Sequence, residues 1–171
     1  MIKRKTKAIL AVVLATAALM APLKIRAQAF DGDMDEKIHA GYIHFEGTPC
    51  AEIGYWEGAN DYLSYGFFIR MAFGKETEKK AMRWADVGST IYFHWDELLK
   101  LPSRLDLFTG FQLSYQSGWL AGGLRYNFCE RWGLYAQVQQ GLFDVVRSSD
   151  IPGTFNDKKF GVSFGLTFSL Q

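Results

Sequence analysis

The chain has 171 residues and a formal charge of +1; 16% of its residues are aromatic, and 17 glycines stand against four prolines. That length suits one domain, and a composition rich in glycine and aromatics suits β-structure with tight turns. The charge balance shows no basic patch of the kind that nucleic-acid binding requires, and two cysteines with three scattered histidines make no zinc-type cluster.

The chain opens on Lys3, Arg4, Lys5 and Lys7, and an apolar run of 14 residues follows from Ala8 to Ala21. A charged start, a short apolar middle and a small-residue exit predict a secretory signal peptide over residues 1–29. The run is too short for a membrane-spanning helix, which needs about 20 residues. Ala27-Gln28-Ala29 supplies an A-x-A pattern and places cleavage after Ala29; a cut after Ala21 would leave Pro22 first. No cysteine lies nearby, which argues against a lipid anchor. The leader holds six basic residues and no acid, so the remainder carries 13 basic and 18 acidic residues, net −5. The stretch Asp31–Glu36 begins like a calcium loop, but its sixth and twelfth positions are Glu36 and Tyr42 in place of Gly and Glu. It reads as a solvated acidic tail.

Beyond the leader the pattern has period two. Ile38–Glu46 and Cys50–Glu57 are the first, weaker strands, and Gly58-Ala59-Asn60-Asp61 is a short turn. Tyr62–Gly74 sets Leu63, Tyr65, Phe67, Ile69, Met71 and Phe73 against Ser64, Gly66, Phe68, Arg70 and Ala72. The charged stretch Lys75–Asp86 reads as a long connection. Val87–Asp96 is the next strand, and Glu97–Ser103 an inner turn. Arg104–Gln116 again separates Leu105, Leu107, Thr109, Phe111, Leu113 and Tyr115 from Asp106, Phe108, Gly110, Gln112 and Ser114. A brief connection near Ser117 leads to Gly118–Phe128. A turn around Glu130-Arg131 leads to Gly133–Val146, and the long connection 147–159 leads to the closing strand, Phe160–Leu170.

Eight strands of about 10 residues match what a tilted strand needs to cross a bilayer. Phe160, Val162, Phe164, Leu166, Phe168 and Leu170 form one face of the last strand, and the other is only Gly, Ser and Thr. A soluble barrel would need charge on its outer face. Small polar residues instead suit the lining of a narrow lumen, and lipid solvates the large apolar face. Trp95, Phe128, Trp132 and Phe168 should gather near one end as an aromatic girdle.

The stretch Gly122–Gly141 (GGLRYNFCERWGLYAQVQQG), followed by FGVSFGLTFSL, resembles the last three strands of small bacterial outer-membrane β-barrel domains of the OmpA/OmpX-like type. YFHWDELLKLPSRLDLFTG is similar to that family's central hairpin, and the likeness spans Pro49–Leu170. It implies an all-β fold: an eight-stranded antiparallel up-and-down transmembrane barrel over 30–171, preceded by a cleavable signal peptide. It also implies the outer membrane of a Gram-negative bacterium, with outer-membrane lipid and the barrel-assembly machinery as partners. Ser163, Gly165, Phe168 and Leu170 look like the C-terminal signal which that machinery reads, although the usual terminal aromatic is replaced by Leu170 and then Gln171. The likeness implies no single activity, because this barrel type hosts structural, adhesive and enzymatic members.

Glu52, Arg70, His94, Asp106, Arg125 and Gln137 fall on the expected inner face. A charge in a narrow lumen must pair or meet water. With the turn after strand two centred on Asn60, Glu52 faces Phe68 and lies diagonal to Arg70. With the next inner turn centred on Lys100, His94 faces Asp106. Phe68, Tyr92, Phe108, Tyr135 and Phe143 add inner bulk. This reads as a structural plug of a closed lumen, against a solute path or a catalytic pair. Lipid A-modifying barrels of one kind carry His-x-Ser. The contexts here, His39-Ala40-Gly41, His44-Phe45-Glu46 and His94-Trp95-Asp96, do not match it. No catalytic, cofactor or metal residue is assigned. The expected function is a membrane-integral structural or surface-interaction barrel acting through its outer loops; the alternatives are a soluble lipocalin-like carrier and a lipid-modifying enzyme. Cys50 and Cys129 should lie at opposite ends, unpaired.

Overall fold

The computed structural model describes residues 28–73, 85–145, 155 and 160–170. The leader up to residue 27 and most of the two long connections lie outside the described residues. Eight antiparallel strands close into a barrel in sequence order. They are β1 (Glu36–Phe45), β2 (Thr48–Asn60), β3 (Leu63–Ala72), β4 (Ala85–His94), β5 (Leu105–Ser114), β6 (Ser117–Asn127), β7 (Trp132–Asp144) and β8 (Phe160–Ser169). β8 pairs with β1 from Lys37↔Ser169 to Phe45↔Gly161, which leaves no open edge.

Closure gives the molecule two mouths. The terminal mouth holds the start of β1, the end of β8 and the connections 61–62, 95–104 and 128–131. The loop mouth holds the other four. The connection from β1 to β2 there is a two-residue turn in which Glu46 and Gly47 both have positive φ, 38° and 92°. That is the geometry which matches the twist of a hairpin.

The side chains are distributed inside out. Ile53, Phe67, Ile69, Val87, Ile91, Leu120, Leu134, Val138, Phe164 and Leu166 are exposed on the outer surface, while Lys37, His39, Glu52, Arg70, Asp86, His94, Asp106, Gln112 and Arg125 are buried within. Around the terminal mouth, Trp132 meets Phe168 at 4.9 Å and Phe93 meets Trp95 at 4.8 Å between ring centroids. Inside, a cluster of Ile43, Phe45, Cys50, Ala72, Trp119 and Phe155 fills the loop end. A second, of Trp56, Tyr92, Phe108, Ala121 and Tyr135, fills the middle. Cys50 lies toward the loop mouth and Cys129 in the turn at the terminal mouth; no disulfide joins them.

Four expectations are corrected. β2 runs on to Asn60, with a bulge between Gly58 and Asn60, and the Asn60 side-chain oxygen accepts the amides of Tyr62 and Leu63. This tighter turn makes Glu52 the direct partner of Arg70, not of Phe68. At the next inner connection a single helical turn, α1 (Asp96–Leu99), is closed by Lys100 in the left-handed region (φ 51°). His94 therefore pairs with Phe108, and Asp106 sits diagonal to it. Phe143 is half exposed rather than inward, because the β6–β7 register shifts between Gly118 and Trp119 and turns it out over Phe111, 6.1 Å away. Lastly, Asp31–Glu36 is only in part a solvated stretch: Asp31, Asp33 and Met34 are exposed, but Gly32–Met34 forms a 3-10 turn, Asp35 is buried, and Glu36 already begins β1.

Candidate functional site

Period two delivers alternate side chains into the lumen, and an eight-stranded barrel leaves room for little besides them. Charged groups there must satisfy one another. All of those named above but Asp86 do so in two networks.

The first crosses the middle of the lumen. Arg70 Nε donates to Glu52 Oε2 at 2.5 Å, and Arg70 Nη2 donates to Gln112 Oε1 at 2.5 Å. The second Glu52 oxygen lies 3.2 Å from His39 Nε2, whose ring stacks on Trp56 at 4.1 Å. Gln112 Nε2 donates to the Tyr92 hydroxyl, which in turn donates to Gln137 Oε1 at 3.2 Å. The Arg70 guanidinium also lies over the Phe68 ring, 3.9 Å from its centroid. One chain of hydrogen bonds thus ties β1, β2, β3, β4, β5 and β7 together.

The second network lies at the terminal mouth. Arg125 Nη2 is 3.6 Å from Asp106 Oδ2, and its Nη1 donates to Asp35 Oδ2 at 3.2 Å. Asp35 also pairs with Lys37. His94 Nδ1 lies 3.0 Å from both oxygens of Asp106, so it carries the proton, which leaves Nε2 to accept the Ser64 hydroxyl at 2.7 Å. Phe30 stacks on the His94 ring, centroids 3.6 Å apart and planes within 5°.

Glu52, Arg70 and Gln137 therefore share the first network, and His94, Asp106 and Arg125 the second. The sequence reading put Ser64 and Gln112 on the inner face without naming them among the site residues, and it missed Asp35, Lys37, His39 and Asp86; all six are buried. Extending the alternation would have found most of them. Lys37 and His39 precede Gly41 and Ile43 on the inner face of β1, and Asp86, assigned to a connection, is on β4 opposite Arg70. Asp35 carries no periodic signal, since it precedes the strand.

Ser64, His94 and Asp106 have the relay order of a serine hydrolase. Every member is at most 1% exposed, with Phe30 over the imidazole. The arrangement positions a proton on a buried imidazole. Among the described residues no group of His, Cys, Asp and Glu is placed to hold a metal ion. Of the C-terminal residues singled out in sequence, Ser163 is buried in the lumen, and Phe168 packs on Trp132.

No known family profile and no curated protein matches this chain. Solved structures do. A de novo designed transmembrane β-barrel superposes with a TM-score of 0.60 at 9% identity, over 82% of this chain and 98% of its own. The N-terminal β-barrel domain of Pseudomonas aeruginosa OprF gives 0.55 at 9% identity, over 81% and 99%. The designed barrel TMB2.3, solved by NMR, gives 0.54 at 10% identity, over 82% and 98%. At such identities the likeness is one of fold: a closed eight-stranded antiparallel barrel of the transmembrane type.

Proposed function

We propose that the protein is an integral outer-membrane barrel whose lumen is closed by its own side chains and which serves a structural or surface-interaction role through the connections at its loop mouth. The inside-out distribution of side chains carries this reading. An outer wall of Ile, Leu, Val and Phe around a lumen of Arg, Glu, His, Asp and Gln is the opposite of a water-soluble barrel. A lipocalin-like carrier would bury the first set around its ligand and expose the second. Lipid solvates the wall, and closure pairs β8 with β1 so that the described strands present no open edge to it.

Closure of the lumen rests on both networks and on two phenylalanines. Phe155 is buried in the loop-end cluster, its carbonyl accepting the Ser117 hydroxyl at 3.0 Å; Phe30 fills the terminal end over His94. The terminal mouth then faces the periplasm, and the barrel-assembly machinery reads the strand that ends at Leu170. The Ser64–His94–Asp106 relay belongs to the plug and performs no hydrolysis. Fractionation tests the whole reading. The protein should sediment with outer membrane, need detergent for release, and run at a different position on a gel before and after boiling. Recovery in the soluble periplasmic fraction would refute it.

A further inference from the structure

The stretch from Gln28 to Asp35 is built into the terminal mouth more tightly than a leader remnant requires. Ala29 and Phe30 are 0% and 2% exposed. Asn127 Nδ2 donates to the Gln28 carbonyl at 2.6 Å, the Ala29 amide donates to the Ser103 carbonyl at 2.7 Å, and Arg125 Nη1 donates to the Ala29 carbonyl at 2.9 Å. Phe30 covers His94, and the Asp35 carbonyl accepts the Gly58 amide at 2.8 Å. The barrel wall is shaped to this stretch: a Cβ added at Gly58 would stand 1.7 Å from the Gly32 carbonyl oxygen.

Cleavage after Ala29, the bond favoured by the A-x-A pattern, would strip out this arrangement. The Ala29 amide and the carbonyls of Gln28 and Ala29 would leave with the leader. Arg125 and Asn127, both buried, would lose acceptors. A new ammonium on Phe30 would appear one bond from where Arg125 now finds a carbonyl, in a mouth that already holds Lys37. Arg125 would keep Asp35 and Asp106, but a second cation would face it in a buried mouth where it had a carbonyl, and such an approach of like charges away from water is costly.

We infer that the leader is cut between Ala27 and Gln28, so that the mature chain keeps Gln28–Asp35 as a plug seated in the periplasmic mouth. This rests on the secretory reading above. Ala27 meets the demand for a small residue before the scissile bond, with Ile25 two places upstream of it. The reaction is hydrolysis by a membrane-bound signal peptidase. Water adds to the Ala27 carbonyl, the bond to the Gln28 nitrogen breaks, and the new amine takes a proton.

The test is the mass of the intact protein from outer membrane, with sequencing of its amino-terminal peptide. The expected first residue is Gln28, either as such or as its cyclised form, lighter by one ammonia. A chain starting at Phe30, or at any residue other than Gln28, overturns the assignment. A chain still carrying the leader refutes the secretory reading itself, which is a different failure. Two variants followed by pulse-chase give an independent answer, because cutting precedes folding. Ala27→Val puts a branched residue directly before the proposed bond, and precursor should accumulate with loss of most of the mature band. Ala29→Val lies beyond that bond and should be processed at the wild-type rate. A cut after Ala29 would produce the reverse pattern, and normal processing of both would equally overturn the inference.

Discussion

Arg70→Met tests the central network most directly. Arg70 is fully buried, donates to Glu52 and Gln112, lies over Phe68, and is paired in register with Asp86. Methionine keeps much of the aliphatic stem and removes the charge. Glu52 then keeps its contact with His39 but loses the guanidinium, and Gln112 loses its donor. Removing one partner of a buried pair typically costs about 3–5 kcal/mol, most of it the penalty of the charge left behind. Because neither partner is more than 5% exposed, solvent screening gives little relief. Urea unfolding in phospholipid vesicles, followed by tryptophan fluorescence and gel mobility, should show a loss of that order. Arg131→Met, on the exposed turn at the terminal mouth, should change stability by less than about 0.5 kcal/mol. The double variant Glu52→Gln/Arg70→Met removes both charges and should be less destabilised than the sum of its singles by about 2 kcal/mol, within the range for residues in direct contact. An additive double variant, or an Arg70→Met cost below about 1 kcal/mol, would refute the argument that the pair is mutually dependent and dry.

Three further outcomes are expected. Planar-bilayer recordings should show no stable conductance of porin size; a large reproducible one would mean that the two networks and the caps at Phe30 and Phe155 do not fill the lumen. A fluorophosphonate probe should leave Ser64 unlabelled in the folded protein, and Ser64→Ala should cost about 1 kcal/mol for the lost hydrogen bond to His94; stoichiometric labelling abolished by Ser64→Ala would make the relay a working nucleophile. Gly58→Ala should drive the 3-10 turn at Gly32–Met34 off the wall, so that protease clips the amino-terminal segment while the barrel still shifts on boiling; an unclipped segment would mean the plug tolerates the added carbon.

Alternation along the chain carries the strand count, the inside-out sense of the barrel and the face of each expected lumen residue except Phe143. These are local properties. Alternation along Leu63–Ala72 or Phe160–Ser169 assigns each side chain to a face wherever the strand is later paired. This also explains why the register errors did no harm to the lumen residues. Each misplaced turn, at Asn60 and at Lys100, moved the pairing by two residues, and a shift of two leaves every side chain on its own face. Only the direct partners changed, so that Glu52 meets Arg70 squarely and His94 reaches Asp106 on the diagonal.

The tertiary structure decided what depends on groups far apart in the chain. The path of Phe143 turned on a bulge that the facing strand permits at Gly118, and bulges leave no mark in a period-two pattern. The hydrogen-bond chain from His39 to Gln137 joins residues on six strands, and no spacing in sequence encodes it. The acidic stretch Asp31–Glu36 has the composition of a solvated tail. Asp35 is buried within it only because closure brings Arg125, Lys37 and the Gly58 amide to one mouth, where they supply the cations and the hydrogen-bond donor that its carboxylate and its carbonyl need to leave water.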